Sequence, residues 1–142
     1  MQPQLTPISI TTHPTLHFLV IINPHSGPGA APWWPNADYA REIPRLNAHC
    51  NVSTIGYVHA TYCQRALDDV LGDVETYAAR TRDGCVESET AVFKLSGIFI
   101  DETVNVYSED AKDWLDAVDS KVRSCGAFGD GRMVSVSVLH VV

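Results

Sequence analysis

Two adjacent carboxylates, Asp101 and Glu102, close the short apolar run Leu95-Ser96-Gly97-Ile98-Phe99-Ile100. Carboxylates at the end of a buried strand are costly unless they are hydrated, paired or used. Cleavage of a glycosidic bond uses two such groups about 5 to 10 Å apart, one donating a proton and the other acting as base or nucleophile. Neighbouring strand residues point to opposite faces, so one of the two would face away from a shared site unless the backbone turns there. The plainer reading is that the pair opens a loop and caps backbone amides, and on sequence alone both readings stand.

Other polar groups fall at comparable positions. Asn23-Pro24 ends the apolar run Leu16 to Ile22, and Tyr57, Thr61 and Tyr62 lie at or just past the end of the run Val52 to Val58. Tyr57 suits the core better, whereas Thr61 and Tyr62 suit a rim that hydrogen-bonds a polar ligand. The segment Asn23-Pro24-His25-Ser26-Gly27-Pro28-Gly29 resembles a phosphate cradle only superficially. It lacks the Gly-Lys-Ser/Thr and GxGxxG patterns, and its prolines remove amide donors. Trp33-Trp34 offers faces for stacking on a sugar, or packs its loop onto the core. The six histidines read as surface or packing residues. Asp68, Asp69, Asp73 and Glu75 read as the solvated face of a helix.

These residues need a scaffold that brings strand ends together. The apolar runs Leu16 to Ile22, Val52 to Val58, Leu95 to Ile100 and Met133 to Val142 read as strands. The first, rich in β-branched residues, has the signature of a strand buried on both faces, and the Val-Ser alternation of the last suits one wet face. Three helical patterns separate them. The first starts near Asn36 or Asp38 and carries Pro44, which should kink or shorten it. In the second, Leu67, Val70, Leu71, Val74, Tyr77 and Ala78 keep helical spacing. The third opens at the N-cap Ser108 and ends at Gly126. A loop is expected from Thr81 to Glu89, and residues 1–15 read as a loose lead-in. The order β-α-β-α-β-α-β predicts an α/β domain with a parallel sheet and chemistry at the C-terminal strand ends, over residues 16–142. A doubly wound, flavodoxin-like sheet is the rival architecture.

The chain of 142 residues has a net charge of -7 and 45% hydrophobic residues. With a mean hydropathy of -0.03 and a pI near 5.2, it reads as one globular domain. The acidic balance argues against nucleic acid and anionic membranes as partners. No apolar run is long enough for a membrane span, and no secretory leader is evident, so the expected location is cytoplasmic. Cys50, Cys63, Cys85 and Cys125 form no CxxC pair, which argues against a thiol zinc site and favours free thiols. Asn51-Val52-Ser53 matches a glycosylation sequon but leads into a strand.

Taken in order, several segments resemble the spherulin-4 group, spherulation-specific family 4. They are Val20-Ile21-Ile22-Asn23-Pro24 with Ser26-Gly27-Pro28-Gly29, Pro35-Asn36-Ala37-Asp38-Tyr39, Gly56-Tyr57-Val58 with Thr61 and Tyr62, Asp73-Val74-Glu75-Thr76-Tyr77, and Gly97-Ile98-Phe99-Ile100-Asp101-Glu102. That group, mostly fungal or bacterial, resembles glycoside hydrolase family 135. The resemblance implies a (β/α)-barrel of eight strands that cleaves α-1,4-linked N-acetylgalactosamine in galactosaminogalactan. It matches Asp101 and Glu102 to the family's acidic pair, with the roles open between them and Glu102 preferred as proton donor. It matches Asn23, Tyr57, Thr61 and Tyr62 to rim positions that hold sugar, and it implies no metal or organic cofactor. An extracellular or cell-surface location is then the alternative to the cytoplasm. The sequence stops after the fourth expected strand, before the family's further acidic residue. The expectation is therefore an N-terminal half-barrel, truncated, inactive alone and open to homodimer formation through its edges. A non-catalytic carbohydrate-binding or cell-surface remnant is the alternative function.

Overall fold

The structure, a computed structural model, describes residues 7–31, 34–83, 93–129 and 132–137. Trp33, Cys85 and Val138 to Val142, on which some sequence expectations fall, lie outside the described residues. The elements are α1 (Pro7–Thr12), β1 (Phe18–Ile22), α2 (Ala37–Asn47), β2 (Val52–His59), α3 (Leu67–Asp83), β3 (Gly97–Thr103), α4 (Glu109–Ser124) and β4 (Arg132–Ser137).

The four strands pair in parallel in the order β1-β2-β3-β4. A doubly wound sheet starts in its middle and reverses direction. Here every new strand joins the same side, the order of a (β/α)-barrel wall, which overturns the flavodoxin-like alternative.

One face of the sheet is sealed by helices. Ile22, Val58, Ile98 and Ile100 form a continuous core with Ile43 of α2, Val70, Val74, Tyr77 and Ala78 of α3, and Val118 and Val122 of α4. Burying each such aliphatic side chain contributes roughly 1.5–3 kcal/mol. Gly56 makes room for this contact: a Cβ there would lie 2.9 Å from the Tyr77 ring. Along β1 the alternate residues Leu19 and Ile21 stay 47% and 43% exposed on the other face, where the inside of a barrel would lie.

The caps match expectation. Asn36 Oδ1 accepts from the amides of Asp38 and Tyr39, and Ser108 Oγ from that of Ala111. Pro44 does not end α2, because Ile43 is 1% exposed and Leu46 packs on the core beyond it. Several boundaries differ from the sequence reading: β1 starts at Phe18 and β3 at Gly97, each two residues later than expected, and β2 ends one residue later at His59. Helix α3 continues through Thr81, buried with its hydroxyl on the Tyr77 carbonyl, so residues 81–83 are helical where a loop was expected. Strand β3 runs to Thr103, one residue past the Asp101-Glu102 pair expected to close it. Part of the lead-in is ordered, since α1 buries Ile10 to 1%. The Asn51 Nδ2 donates to the carbonyls of Ile10, His13 and Leu16, at 3.2, 3.4 and 3.1 Å. The sequon nitrogen is thereby engaged inside the fold.

Candidate functional site at the C-terminal strand edge

The parallel register pairs Tyr57 with Phe99 and His59 with Asp101. Residues two apart share a face, so Tyr57, His59, Phe99 and Asp101 sit together on the face without helices. The Tyr57 hydroxyl donates to Asp101 Oδ2 at 2.8 Å, and the Glu102 amide donates to Oδ1 at 2.8 Å. Each carboxylate oxygen of Asp101 therefore has a fixed donor. The Tyr57 ring lies 6.0 Å from that of Phe99, which fixes its tilt.

Burial first, then the hydrogen bond to Asp101, then the charges of Asp101 and Glu102 push the Tyr57 phenol up to about 12. Tyr57 thus remains a proton-bearing donor at physiological pH. Both carboxylates act on this one hydroxyl, so both charges lie near the same strand end.

Backbone geometry accounts for that. Glu102 has φ 57, and the β3–β4 register shifts between Ile100 and Thr103. The bulge interrupts the simple alternation that would have sent the two carboxylates to opposite faces. This is the backbone turn that a shared site requires of two adjacent strand residues.

The loop after β2 crosses the pair. The amides of Ala60 and Tyr62 donate to the carbonyls of Asp101 and Glu102, at 2.9 and 2.7 Å. Thr61, Tyr62 and Cys63 have φ of 48, 55 and 61. Left-handed backbone costs roughly 1–2 kcal/mol per non-glycine residue, and such strain concentrates at functional sites. Thr61 and Tyr62 are exposed rim residues, as expected, with Tyr62 53% exposed. Tyr57 is half-buried and belongs to the site through its hydroxyl, not only to the core.

Asn23 shapes the loop after β1. Its Oδ1 accepts from the Gly27 amide at 3.0 Å and its carbonyl from the Tyr39 hydroxyl at 3.5 Å. Trp34 packs inward against Tyr39, Tyr77 and Phe93, the packing alternative for this one residue of the pair. Among the described residues no three His, Cys, Asp or Glu side chains gather as a metal site, and Cys50, Cys63 and Cys125 are unbridged.

Three side chains escaped the sequence reading. His59 was counted with surface and packing histidines, yet its Nδ1 meets the Ser26 carbonyl at 2.9 Å and its backbone pairs with Asp101. Its alternation with Tyr57 on one strand was the available signal. Asp73 is not part of a solvated face: its side chain is 20% exposed and accepts from Arg65 Nη1 at 2.7 Å. Tyr77 donates to the carbonyls of Tyr57 and Ile22, at 2.9 and 3.3 Å, tying the ends of β1 and β2 to α3.

Comparisons with known proteins agree with this architecture. Spherulin-4 of Physarum polycephalum is 36% identical over 91 residues, covering 64% of this chain and 23% of that protein. The crystal structure of Aspergillus clavatus Sph3 in complex with GalNAc superposes with a TM-score of 0.78 at 38% identity, over 91% of this chain and 50% of Sph3. The chain thus spans half the length of Sph3 and under a quarter of that of spherulin-4. The parallel four-stranded wall is that of the N-terminal half of a TIM-type barrel. The model of spherulation-specific family 4 matches residues 6–137, and the chain belongs to that family.

Proposed function

We propose that this chain is a glycoside-hydrolase-like carbohydrate domain that holds an amino-sugar polymer of the galactosaminogalactan type at the C-terminal edge of β2 and β3. The observation that carries this reading is the Tyr57–Asp101 hydrogen bond beside the bulged Glu102. The Sph3 complex with GalNAc, 38% identical, supports the sugar class. Asp101, with a donor on each oxygen, suits the role of fixed acceptor, nucleophile or stabiliser. Glu102 suits the proton donor, and Asn23, Tyr57, Thr61 and Tyr62 suit contacts to sugar hydroxyls. The reaction class we propose is that of an α-1,4-N-acetylgalactosaminidase, and with it a location at or outside the cell surface, where such polymers lie. Because Sph3 is matched over 50% of its length, we expect these 142 residues to bind sugar with little turnover alone.

Calorimetric titration with N-acetylgalactosamine tests the reading. Binding that is lost in Asp101→Asn and in Glu102→Gln supports it. Binding that both variants retain overturns the assignment.

Association through the barrel edges belongs to the same proposal. Leu19 and Ile21 are exposed, and β1 and β4 are the outer strands of the sheet. Exposed edges pair with other chains, and a homodimer would cover both strands and the open face. Sedimentation over a range of concentrations reads this out, and a monomer throughout would remove the dimer.

A further inference from the structure

A second concavity opens beside the carboxylate pair. It measures about 340 Å³ and is lined by His25, Ser26, Gly27, Ala30, His59, Arg65 and Asp73, among others. That volume is at the small end for ligand sites, enough for one ring and its substituents. A larger cavity of about 540 Å³, along Val104 to Ser108 and the first turns of α4, contains none of the residues around Asp101. The smaller one has a direct connection. His59 forms part of its wall and is the register partner of Asp101 on the neighbouring strand. Adjacent strands lie about 4.8 Å apart, so the His59 backbone stands one strand spacing from that of Asp101.

Its chemistry is specific. Arg65 donates from Nη1 to Asp73 at 2.7 Å and to the His59 carbonyl at 3.3 Å. Among the described residues its Nε and Nη2 have no acceptor. The guanidinium charge is cancelled by Asp73, so the site is not built for an anion. The His59 ring faces the Ser26 carbonyl with Nδ1, which makes Nδ1 the donor and leaves Nε2 as an acceptor in the neutral ring. N–H donors and a nitrogen acceptor on residues that line the cavity match vicinal hydroxyls, each of which both donates and accepts.

The geometry points to this cavity as a second sugar subsite. It would take the pyranose unit adjoining the one at Asp101, with His59 as the wall shared by both units. The inference rests on the carbohydrate reading above and extends it from a single unit to a chain with direction, running from Asp101 toward the loop after β1.

The test compares affinities for N-acetylgalactosamine and for its α-1,4-linked disaccharide and trisaccharide, by calorimetry. The readout is the oligomer-to-monosaccharide affinity ratio, with melting curves verifying that each variant is folded. The wild-type ratio should be at least about tenfold. Ala30→Trp, on an exposed loop, fills the cavity and should bring the ratio near one. His59→Asn keeps an amide donor toward the Ser26 carbonyl but deletes the Nε2 edge, and should reduce the ratio several-fold. A ratio near one in the wild type, with the monosaccharide still dependent on Asp101, overturns the subsite and leaves the carbohydrate reading standing. A ratio unchanged in both variants also overturns the subsite. No binding of any of these sugars overturns the subsite and the reading beneath it together.

Discussion

The two edges of the sheet differ in where they carry strained non-glycine backbone. Among the described residues, the non-glycine residues with left-handed backbone are Ser26, Thr61, Tyr62, Cys63 and Glu102, all at the C-terminal edge. At the N-terminal edge, left-handed conformations fall on Gly126 and Gly129, which adopt them without a Cβ penalty. Polar groups divide similarly. Below, Asn51 serves three carbonyls, and Thr54 bridges Asn47 and the Lys94 carbonyl at 2.9 and 2.8 Å. Above, Asp101 and Glu102 stand at the strand end beside the Tyr57 hydroxyl, and His59 and Arg65 line a cavity of about 340 Å³. The lower edge is built for stability, and the upper edge gives up stability to hold side chains in unusual directions. In (β/α)-barrels this division separates scaffold from chemistry.

The contrast can be broken at several points. The largest expected effect is at the lower edge. Asn51→Ala strands the carbonyls of Ile10, His13 and Leu16 and should cost about 1–3 kcal/mol in chemical denaturation. Sugar affinity should be unchanged, because the site lies at the opposite edge. Gly56→Ala drives a Cβ into the Tyr77 ring and should cost about 1–3 kcal/mol by overpacking. Unlike the first substitution it should also weaken sugar binding, since Tyr77 anchors the Tyr57 carbonyl.

Smaller effects test strain directly. Gly126 has φ +66 and open space where a side-chain methyl would stand. Alanine there meets only the backbone penalty, and Gly126→Ala should destabilise by about 1 kcal/mol. Thr61→Gly is the converse: it should stabilise by up to about 1 kcal/mol, after the entropy cost of glycine, and loosen sugar binding. Loss of stability in Thr61→Gly would remove the idea of strain stored at the upper edge.

The smallest effect is on titration. The Tyr57 phenol is raised from 10.0 to about 12, first by burial and then by Asp101. Folding favours its neutral form, so the associated stability is complete below pH 10 and is lost as pH rises through about 12. Tyrosinate absorbance should show this late-titrating group in the wild type. In Asp101→Asn it should titrate earlier, while remaining above its ordinary value because burial persists.

Much of the scaffold was legible in the sequence, because buried parallel strands and amphipathic helices each leave a periodic signal. The runs ending at Ile22 and Val58, the stripe from Leu67 to Ala78 and the caps Asn36 and Ser108 all follow from local rules. The bulge at Glu102 does not, since a left-handed glutamate leaves no mark in composition or spacing. Its position depends on pairing that resumes between Thr103 and Ser137. The same limit hid Asp73: on a helical wheel it belongs with the exposed acids Asp68 and Asp69, but the loops carrying Arg65 and Gly27 lie against it. The carboxylate pair was visible as two residues at a strand end, but Tyr57 and His59 join it through cross-strand register.

The central claim is that the strained upper edge is a sugar site. Its most direct test is an amide-resolved NMR titration of the labelled protein with N-acetylgalactosamine. The account predicts shift changes clustered at Tyr57, His59, Thr61, Tyr62, Asp101 and Glu102, with Asn51, Thr54 and Lys94 unmoved. Changes centred on the lower edge, or none at any residue under saturating sugar, would contradict it.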